Sequence, residues 1–214
     1  GAAGQIGSEL VPYLRKIYNP SSVVAAYRST PLTDEIMQGG PCEKMDAMEA
    51  EKMYAVVKKY NIDTIINLVA VLSAKGEANP PLAWKINMDS MLNTLEIMKE
   101  VKGAVFTPSS IGAFGPTTPM DNTPQDTLMR PTTVYGISKV AAELLGDYYH
   151  IKFGVDTRGL RYPGIISNVT LPGGGTTDYA VEIYYEAVKN HRYTCNLGAG
   201  TFLDMMYMPD ALRA

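Results

Sequence analysis

Three glycines spaced three apart begin the chain, in Gly1-Ala-Ala-Gly4-Gln-Ile-Gly7, and no other feature restricts the fold as sharply. Glycines in this pattern let a backbone turn tightly, approach a pyrophosphate closely and pack a helix hard against a sheet. Such a turn belongs between a strand and a helix. The helix follows, because Ile6, Leu10, Leu14 and Ile17 recur at helical spacing from Gln5 to Tyr18, closed by Asn19-Pro20. The strand that should precede the turn is absent from the sequence. The expectation is therefore a chain lacking N-terminal residues, with an unpaired gap in the middle of its sheet and any targeting peptide lost with that strand.

Strand and helix patterns then alternate. Short buried runs at Val23 to Tyr27, Thr64 to Val69, Ala104 to Thr107 and Asp156 to Arg161 read as strands, and Met48 to Lys59, Leu82 to Val101 and Val134 to Phe153 read as helices. Strands that are apolar on both faces and separated by helices imply an α/β fold, a doubly wound parallel sheet covered on both sides. After Pro163 the pattern loosens into a Gly-rich loop at Gly173 to Gly175, a helix at Tyr179 to Lys189 and an apolar segment at Phe202 to Met208. We expect a dinucleotide-binding domain over 1–162 and the start of a smaller substrate lobe over 163–214, interleaved with the sheet.

Composition excludes several function classes. The chain has 214 residues, 46% of them hydrophobic, which is enough to bury a core. Its longest apolar runs fall well short of the roughly 20 residues of a membrane span, so no membrane partner is expected. A net charge of -3 without a Lys/Arg block gives no footprint for nucleic acid. Cys42 and Cys195 stand far apart with no CxxC or His-rich company, so no metal site or disulfide framework is signalled. A reducing, intracellular compartment follows, cytoplasmic or mitochondrial matrix.

A dinucleotide turn predicts an acid roughly 20 residues on, at the end of the second strand, to hold the adenosine ribose. Tyr27-Arg28 stands there instead, and an Arg beside that ribose accommodates a 2'-phosphate, so NAD and NADP both stay open. Asp46 is either a hydrogen-bond partner for the adenine edge or a capping carboxylate ahead of Met48.

Tyr135 and Lys139 are four apart in a helical segment and so share a face. An ammonium beside a phenol favours the phenolate and would fit the Tyr for general-base work, although the same spacing also occurs in surface helix pairs. Position separates the two readings. Ser110 follows the strand Ala104 to Thr107 at its carboxyl end, where ligands bind in open α/β sheets, and Tyr135 opens the helix after the next loop. A hydroxyl, a phenol and an ammonium thus converge outside one sheet edge.

With these residues in view, the chain resembles the extended short-chain dehydrogenase/reductase family over essentially its whole length. The matching features are Gly1-x-x-Gly4-x-x-Gly7, Asn67-Leu-Val-Ala70, Asn87 in Lys85-Ile-Asn-Met, Ser109-Ser110 before Phe114-Gly115, Tyr135-x-x-x-Lys139 and Arg161-Tyr-Pro-Gly164. Within the family it is most similar to the L-threonine 3-dehydrogenase branch, on Leu72-Ser-Ala-Lys-Gly-Glu77, Ala83-Trp-Lys-Ile-Asn-Met88, Leu171-Pro-Gly-Gly-Gly-Thr-Thr-Asp-Tyr-Ala180 and Met205-Met-Tyr-Met-Pro-Asp-Ala211. The resemblance implies NAD-dependent oxidation of the L-threonine side-chain alcohol to 2-amino-3-oxobutanoate, with Ser110, Tyr135 and Lys139 catalytic. It implies a cofactor held by Gly1, Gly4, Gln5, Ile6, Arg28, Asp46, Leu68, Ala70, Asn87, Tyr135, Lys139, Pro163 and Ile165, with Asn87 also supporting a proton exit through water. Ser73, Ser110, Tyr135, Gly175, Thr176 and Thr177 would meet the substrate, the two threonines alternatively capping the helix at Tyr179. A homodimer through the helices Leu82 to Val101 and Val134 to Phe153 is also implied, although their apolar faces equally suit core packing. Rival activities are a nucleotide-sugar epimerase or dehydratase of the same fold and, more distantly, a non-catalytic dinucleotide-sensing regulator.

Overall fold

The computed structural model describes residues 1–171, 173, 175–195 and 197–214. Pro172 and Gly174 of the Gly-rich segment therefore lie outside the described residues. In chain order the elements are α1 (Gln5–Ile17), β1 (Ala25–Tyr27), α2 (Asp34–Gln38), β2 (Cys42–Lys44), α3 (Ala50–Tyr60), β3 (Thr64–Ile66), α4 (Ser73–Ala78), α5 (Pro80–Val101), β4 (Ala104–Phe106) and β5 (Ser109–Ser110). Then come α6 (Val134–Phe153), β6 (Asp156–Arg158), β7 (Arg161–Tyr162), β8 (Gly164–Ile166), α7 (Tyr179–Asn190), β9 (Met205–Tyr207) and α8 (Met208–Arg213). Every strand pair is parallel: β1 with β2, β4 between β3 and β6, β5 with β7, and β8 with β9.

Local signals account for the boundaries. The Thr133 hydroxyl accepts the Gly136 N–H at the start of α6, and Gly154 closes it in the left-handed region at φ 72°. Helix α5 starts two residues ahead of Leu82, because Asn79 caps it and prolines lose nothing in a first turn whose N–H groups are unpaired anyway. The strand expected over Asp156 to Arg161 is divided in two, as is its neighbour. Pro108 has no N–H for the ladder, which pauses between β4 and β5 and resumes when the Ser109 N–H donates to the Leu160 carbonyl at 2.8 Å.

Helices cover both faces. On one, Met53 and Val57 of α3, Met91, Leu95 and Met98 of α5, and Tyr149 of α6 pack on Val105 and Val155. On the other, α1 packs through Val11 on Ala25, and Tyr162, Met208 and Ala211 gather Ile6, Phe106 and Ile165 around them. The segment Met205 to Arg213 thus returns to the sheet, its strand paired with β8 and α8 against α1. This is the doubly wound α/β architecture expected from the alternating pattern.

Arg15 is a buried cation that ties α1 to this frame. Its guanidinium donates to the carbonyls of Val23, Ile36 and Pro41, at 2.6 Å to Ile36 and 2.8 Å to Pro41. Gly40 leaves it room, since a Cβ there would lie 2.8 Å from the Arg15 Nε. No carboxylate shares the site in these contacts, so the charge is solvated by backbone carbonyls and the Cys42 sulfur.

Candidate active site

The glycine turn lies between two sheets that have no ladder joining them among the described residues. The Ala2 N–H donates to the Ala26 carbonyl at 3.1 Å on the β1 side, and a Cβ on Gly1 would lie 2.6 Å from the Leu68 Cβ on the β3 side. Gly7 is equally enclosed, because a Cβ there would stand 2.3 Å from the Gly1 carbonyl oxygen. Gly4 differs. It is exposed, and a Cβ on it would meet only that same oxygen, at 3.3 Å, and otherwise project over the start of α1.

That start is chemically open. Gly4 is the N-cap, no side chain caps the helix, and its first turn contains no acid, so the amides around Gln5 and Ile6 have no side-chain acceptor. Thirteen residues of aligned peptide dipoles place positive potential there. Backbone N–H groups, positive potential and missing Cβ atoms fit the pyrophosphate of a dinucleotide. Leu68 and Ala70 follow β3 beside the turn, and the Ile165 carbonyl in β8, two residues past Pro163, accepts the Gln5 side-chain amide at 3.4 Å. Gly1, Gln5, Leu68 and Ile165, among the residues read from the sequence, are thus brought together here.

Arg28 and Asp46 meet at the ends of β1 and β2, with Nη1 3.5 Å from Oδ2. The other Asp46 oxygen accepts the Met48 N–H at 3.0 Å within the turn ahead of α3, whose N-cap is Glu49, so this carboxylate stays local to the loop and does not cap the helix as considered for it.

Ser110 ends β5, and its hydroxyl accepts the Gly112 N–H at 3.1 Å. Its side chain also hydrogen-bonds Tyr135, on the first turn of α6. The intervening Gly112 has a steric reason, since a Cβ there would lie 3.2 Å from the Tyr135 ring. One turn on, the Lys139 Nζ is 5.4 Å from the centre of that ring and donates to the Pro108 carbonyl at 2.6 Å. The proline that interrupts the ladder thus supplies an acceptor where the lysine needs one.

The electrostatics correct one expectation. Lys139 was expected to bring the Tyr135 pKa down, but that pKa is raised, first because burial penalises the phenolate, with the Ser110 hydrogen bond acting in the opposite direction. Lys139 is itself desolvated. Burial lowers its pKa from 10.5 to about 8, with the Glu143 carboxylate opposing the shift, so it is still an ammonium at neutral pH. Helical spacing brings the pair together but says nothing of how dry the place is.

Asn87 sits at the junction of α5 with the end of β3 and with α6. Its Oδ1 accepts the Val71 N–H at 2.7 Å, while its Nδ2 donates to the Val71 carbonyl and to the Ser138 hydroxyl at 3.0 Å. Both amide hydrogens are occupied in fastening α5 to the end of β3 and to α6.

Glu143, which the sequence reading did not single out, supports the site together with Arg161 and Glu77, which that reading quoted only as members of matching segments. Glu143, a further turn beyond Lys139, accepts from the Ser109 hydroxyl and from Arg161, whose Nη2 lies at 2.8 Å and whose Nε lies at 3.1 Å. The spacing of Tyr135, Lys139 and Glu143 was the available signal, because all three fall on one helical face. Glu77 caps the N-terminus of α6 through the Val134 N–H at 2.9 Å.

The segments assigned to substrate approach this edge. Ser73 opens α4 next to Leu72, whose Cδ1 would lie 3.8 Å from a Cβ on Gly173, and Thr177 packs on Gly164 of β8, where a Cβ would lie 2.7 Å from the threonine Cβ. The Gly175 N–H donates to Asp178 at 2.8 Å, and Thr176 is exposed. Neither threonine caps α7. Its N-cap is Asp178, without a side-chain cap bond.

Residues 1–213 match the NAD dependent epimerase/dehydratase family. Among solved structures, the chain is similar over its full length to the L-threonine dehydrogenase of Clostridium difficile, with 54% identity, TM-score 0.92 and 67% of that chain covered. It is similarly close to a GalE-like L-threonine dehydrogenase from Cupriavidus necator, with 48% identity, TM-score 0.94 and 68% coverage. An uncharacterized epimerase/dehydratase of Staphylococcus haemolyticus is 52% identical over all 214 residues, which cover 67% of it. The chain thus spans about two thirds of the length of these relatives. A UDP-glucose 4-epimerase of Thermotoga maritima, at 22% identity and TM-score 0.88, shares the fold.

Proposed function

This chain belongs to the NAD dependent epimerase/dehydratase family, and from that premise we propose that it oxidises the side-chain alcohol of L-threonine to 2-amino-3-oxobutanoate. The observation that carries alcohol oxidation is the convergence of Ser110, Tyr135 and Lys139 at the carboxyl edge of the sheet, beside an uncapped helix start. The choice of L-threonine rests on identities of 54% and 48% to L-threonine dehydrogenases and on the segments Ser73 to Glu77 and Gly175 to Ala180.

NAD, when bound, supplies a hydride acceptor. Gly1, Gly4 and the first amides of α1 hold its pyrophosphate, with Arg28 and Asp46 toward the adenosine and Pro163 and Ile165 at the opposite side of the turn. Ser110 and Tyr135 present adjacent hydroxyls to the substrate oxygen and orient its Cβ–H. Tyr135 takes the hydroxyl proton. It does so as the phenolate: burial favours the neutral phenol at rest, so the phenolic proton must first pass to solvent, an ionisation promoted by the Ser110 hydrogen bond and the neighbouring Lys139 ammonium. Asn87 keeps Val71 and Ser138 in register with this pair. Ser73, Gly175, Thr176 and Thr177 receive the substrate's charged amino and carboxylate groups, within a smaller lobe that begins at residue 163. Exposed Trp84 and Leu92 on α5 and Ile137, Leu144 and Tyr148 on α6 would be covered in a homodimer, which sedimentation would detect.

The names of the staphylococcal relatives favour a second reading, a nucleotide-sugar epimerase or dehydratase. Incubation with L-threonine and NAD should produce NADH absorbance. Turnover of a UDP- or GDP-sugar, with none of L-threonine, would replace the proposal by the second reading.

A further inference from the structure

We propose that Arg28 is a selectivity residue that receives a phosphate on the 2'-hydroxyl of the adenosine ribose, so that this chain binds NADP(H) as well as NAD(H). The inference rests on the dinucleotide reading of the glycine turn and refines it at one atom of the cofactor.

The side chain that follows the second strand of a dinucleotide-binding unit meets the adenosine ribose. A carboxylate there accepts the ribose 2'-hydroxyl and repels a 2'-phosphate, whereas a guanidinium reverses that preference. In this chain the residues are Tyr27-Arg28-Ser29-Thr30, and no carboxylate follows β1 before Asp34, the first residue of α2. The backbone fixes where Arg28 stands. The Ala26 carbonyl, two residues earlier, is the one bonded by the Ala2 N–H of the glycine turn, and the Tyr27 carbonyl accepts the Met45 N–H at 2.8 Å. Arg28 is thus the first residue past the ladder, next to the turn that would hold the pyrophosphate.

Its surroundings leave room for a second phosphate. The Arg28 side chain is 63% exposed and lies on a groove of about 400 Å³ shared with Met48, Lys85 and Asn93. Three charges line this space, Arg28, Lys85 and Asp89, with Asp46 beside the first. Arg28 contacts Asp46 at 3.5 Å, and Lys85 contacts Asp89 at 2.6 Å. The Arg28 contact is long, exposed and uses one N–H of five, so it holds the guanidinium weakly. A phosphate dianion offers the same guanidinium a forked, charge-assisted pair. Asp46 spends its other oxygen on the Met48 N–H, which keeps it as a neighbour rather than as a second ribose acceptor.

The test is calorimetric titration with two cofactor fragments, adenosine 2',5'-bisphosphate and 5'-AMP, neither of which can turn over. The unaltered protein should bind the bisphosphate at least as tightly as 5'-AMP. Arg28→Gln should lower the ratio of the two affinities by about tenfold or more, and Asp46→Asn should raise it, because a ratio cancels any effect on adenine binding. Added salt should shrink the preference. A protein that favours 5'-AMP about tenfold, or a ratio that Arg28→Gln leaves unchanged, would overturn the assignment while leaving the dinucleotide reading intact. Failure of both fragments to bind a folded protein would overturn both.

Discussion

Replacing Lys139 by Met should inactivate the protein and also make it more stable at neutral pH. The side chain is buried deeply enough that its pKa drops from 10.5 to about 8, a difference worth about 3 kcal/mol against the charged folded state. Met fills the same channel without a charge. The Pro108 carbonyl would lose its 2.6 Å donor, at a cost of about 1–2 kcal/mol. The net expectation at about pH 7 is a gain of about 1–2 kcal/mol, read from the midpoint of urea unfolding. The pH dependence isolates the charge from the lost hydrogen bond. A lysine whose folded pKa is depressed destabilises below that pKa, and the penalty is relieved as pH rises from about 8 towards 10.5, where the unfolded chain still binds the proton and the folded one does not. The unaltered protein should therefore gain about 2 kcal/mol on the Lys139→Met variant between about pH 7 and about pH 9.5. A variant that is less stable at neutral pH, with a difference that does not change as pH rises, would refute the claim that this ammonium is held at a cost in stability.

Other substitutions test the surrounding frame. Glu143→Gln leaves Arg161 without its carboxylate and should cost about 3 kcal/mol by denaturant unfolding, since the pair is mostly buried. Arg15→Ala removes the donor shared by the carbonyls of Val23, Ile36 and Pro41, leaving Pro41 its Ala25 N–H and Ile36 the Cys42 thiol, and should lower stability by about 3 kcal/mol, with the near-ultraviolet spectrum of any surviving fold unchanged. Gly7→Ala drives a Cβ to 2.3 Å from the Gly1 carbonyl oxygen, so 5'-AMP affinity should fall at least about tenfold by calorimetry even where the protein still folds. Tyr135→Phe should reduce turnover by about 100-fold or more, the span attributable to a positioned acid–base group, with nucleotide affinity little changed.

Much of this was readable in the chain, and the division between what was and was not has a physical basis. Helix α6 was bounded correctly because its limits are local: a threonine cap, twenty residues of good pattern and a left-handed glycine. Helices α2 and α4, of five and six residues, are too short for periodicity to reveal and owe their existence to tertiary packing. The run Asp156 to Arg161 read as one strand because propensity does not register an interruption that Pro108 imposes from the neighbouring strand. In the site, spacing and strand order were enough to bring Ser110, Tyr135 and Lys139 together. Burial was not readable, and burial is what raises the Tyr135 pKa and discharges Lys139 toward 8. Glu143 escaped notice, and Glu77 was quoted only within a matching segment, because each acts through a partner distant in sequence, Ser109 and Arg161 for the first and the Val134 N–H for the second. Asn87 was noticed for its motif, yet only the fold shows that Val71 and Ser138 already use both of its amide hydrogens.

The most direct measurement of the central claim is the fate of one hydrogen. L-Threonine carrying deuterium at Cβ, incubated with NAD, should yield NADH that carries the label by mass spectrometry, and Tyr135→Phe should suppress that transfer with nucleotide still bound. Unlabelled NADH, no NADH, or labelled NADH at full rate without the Tyr135 hydroxyl would contradict the account.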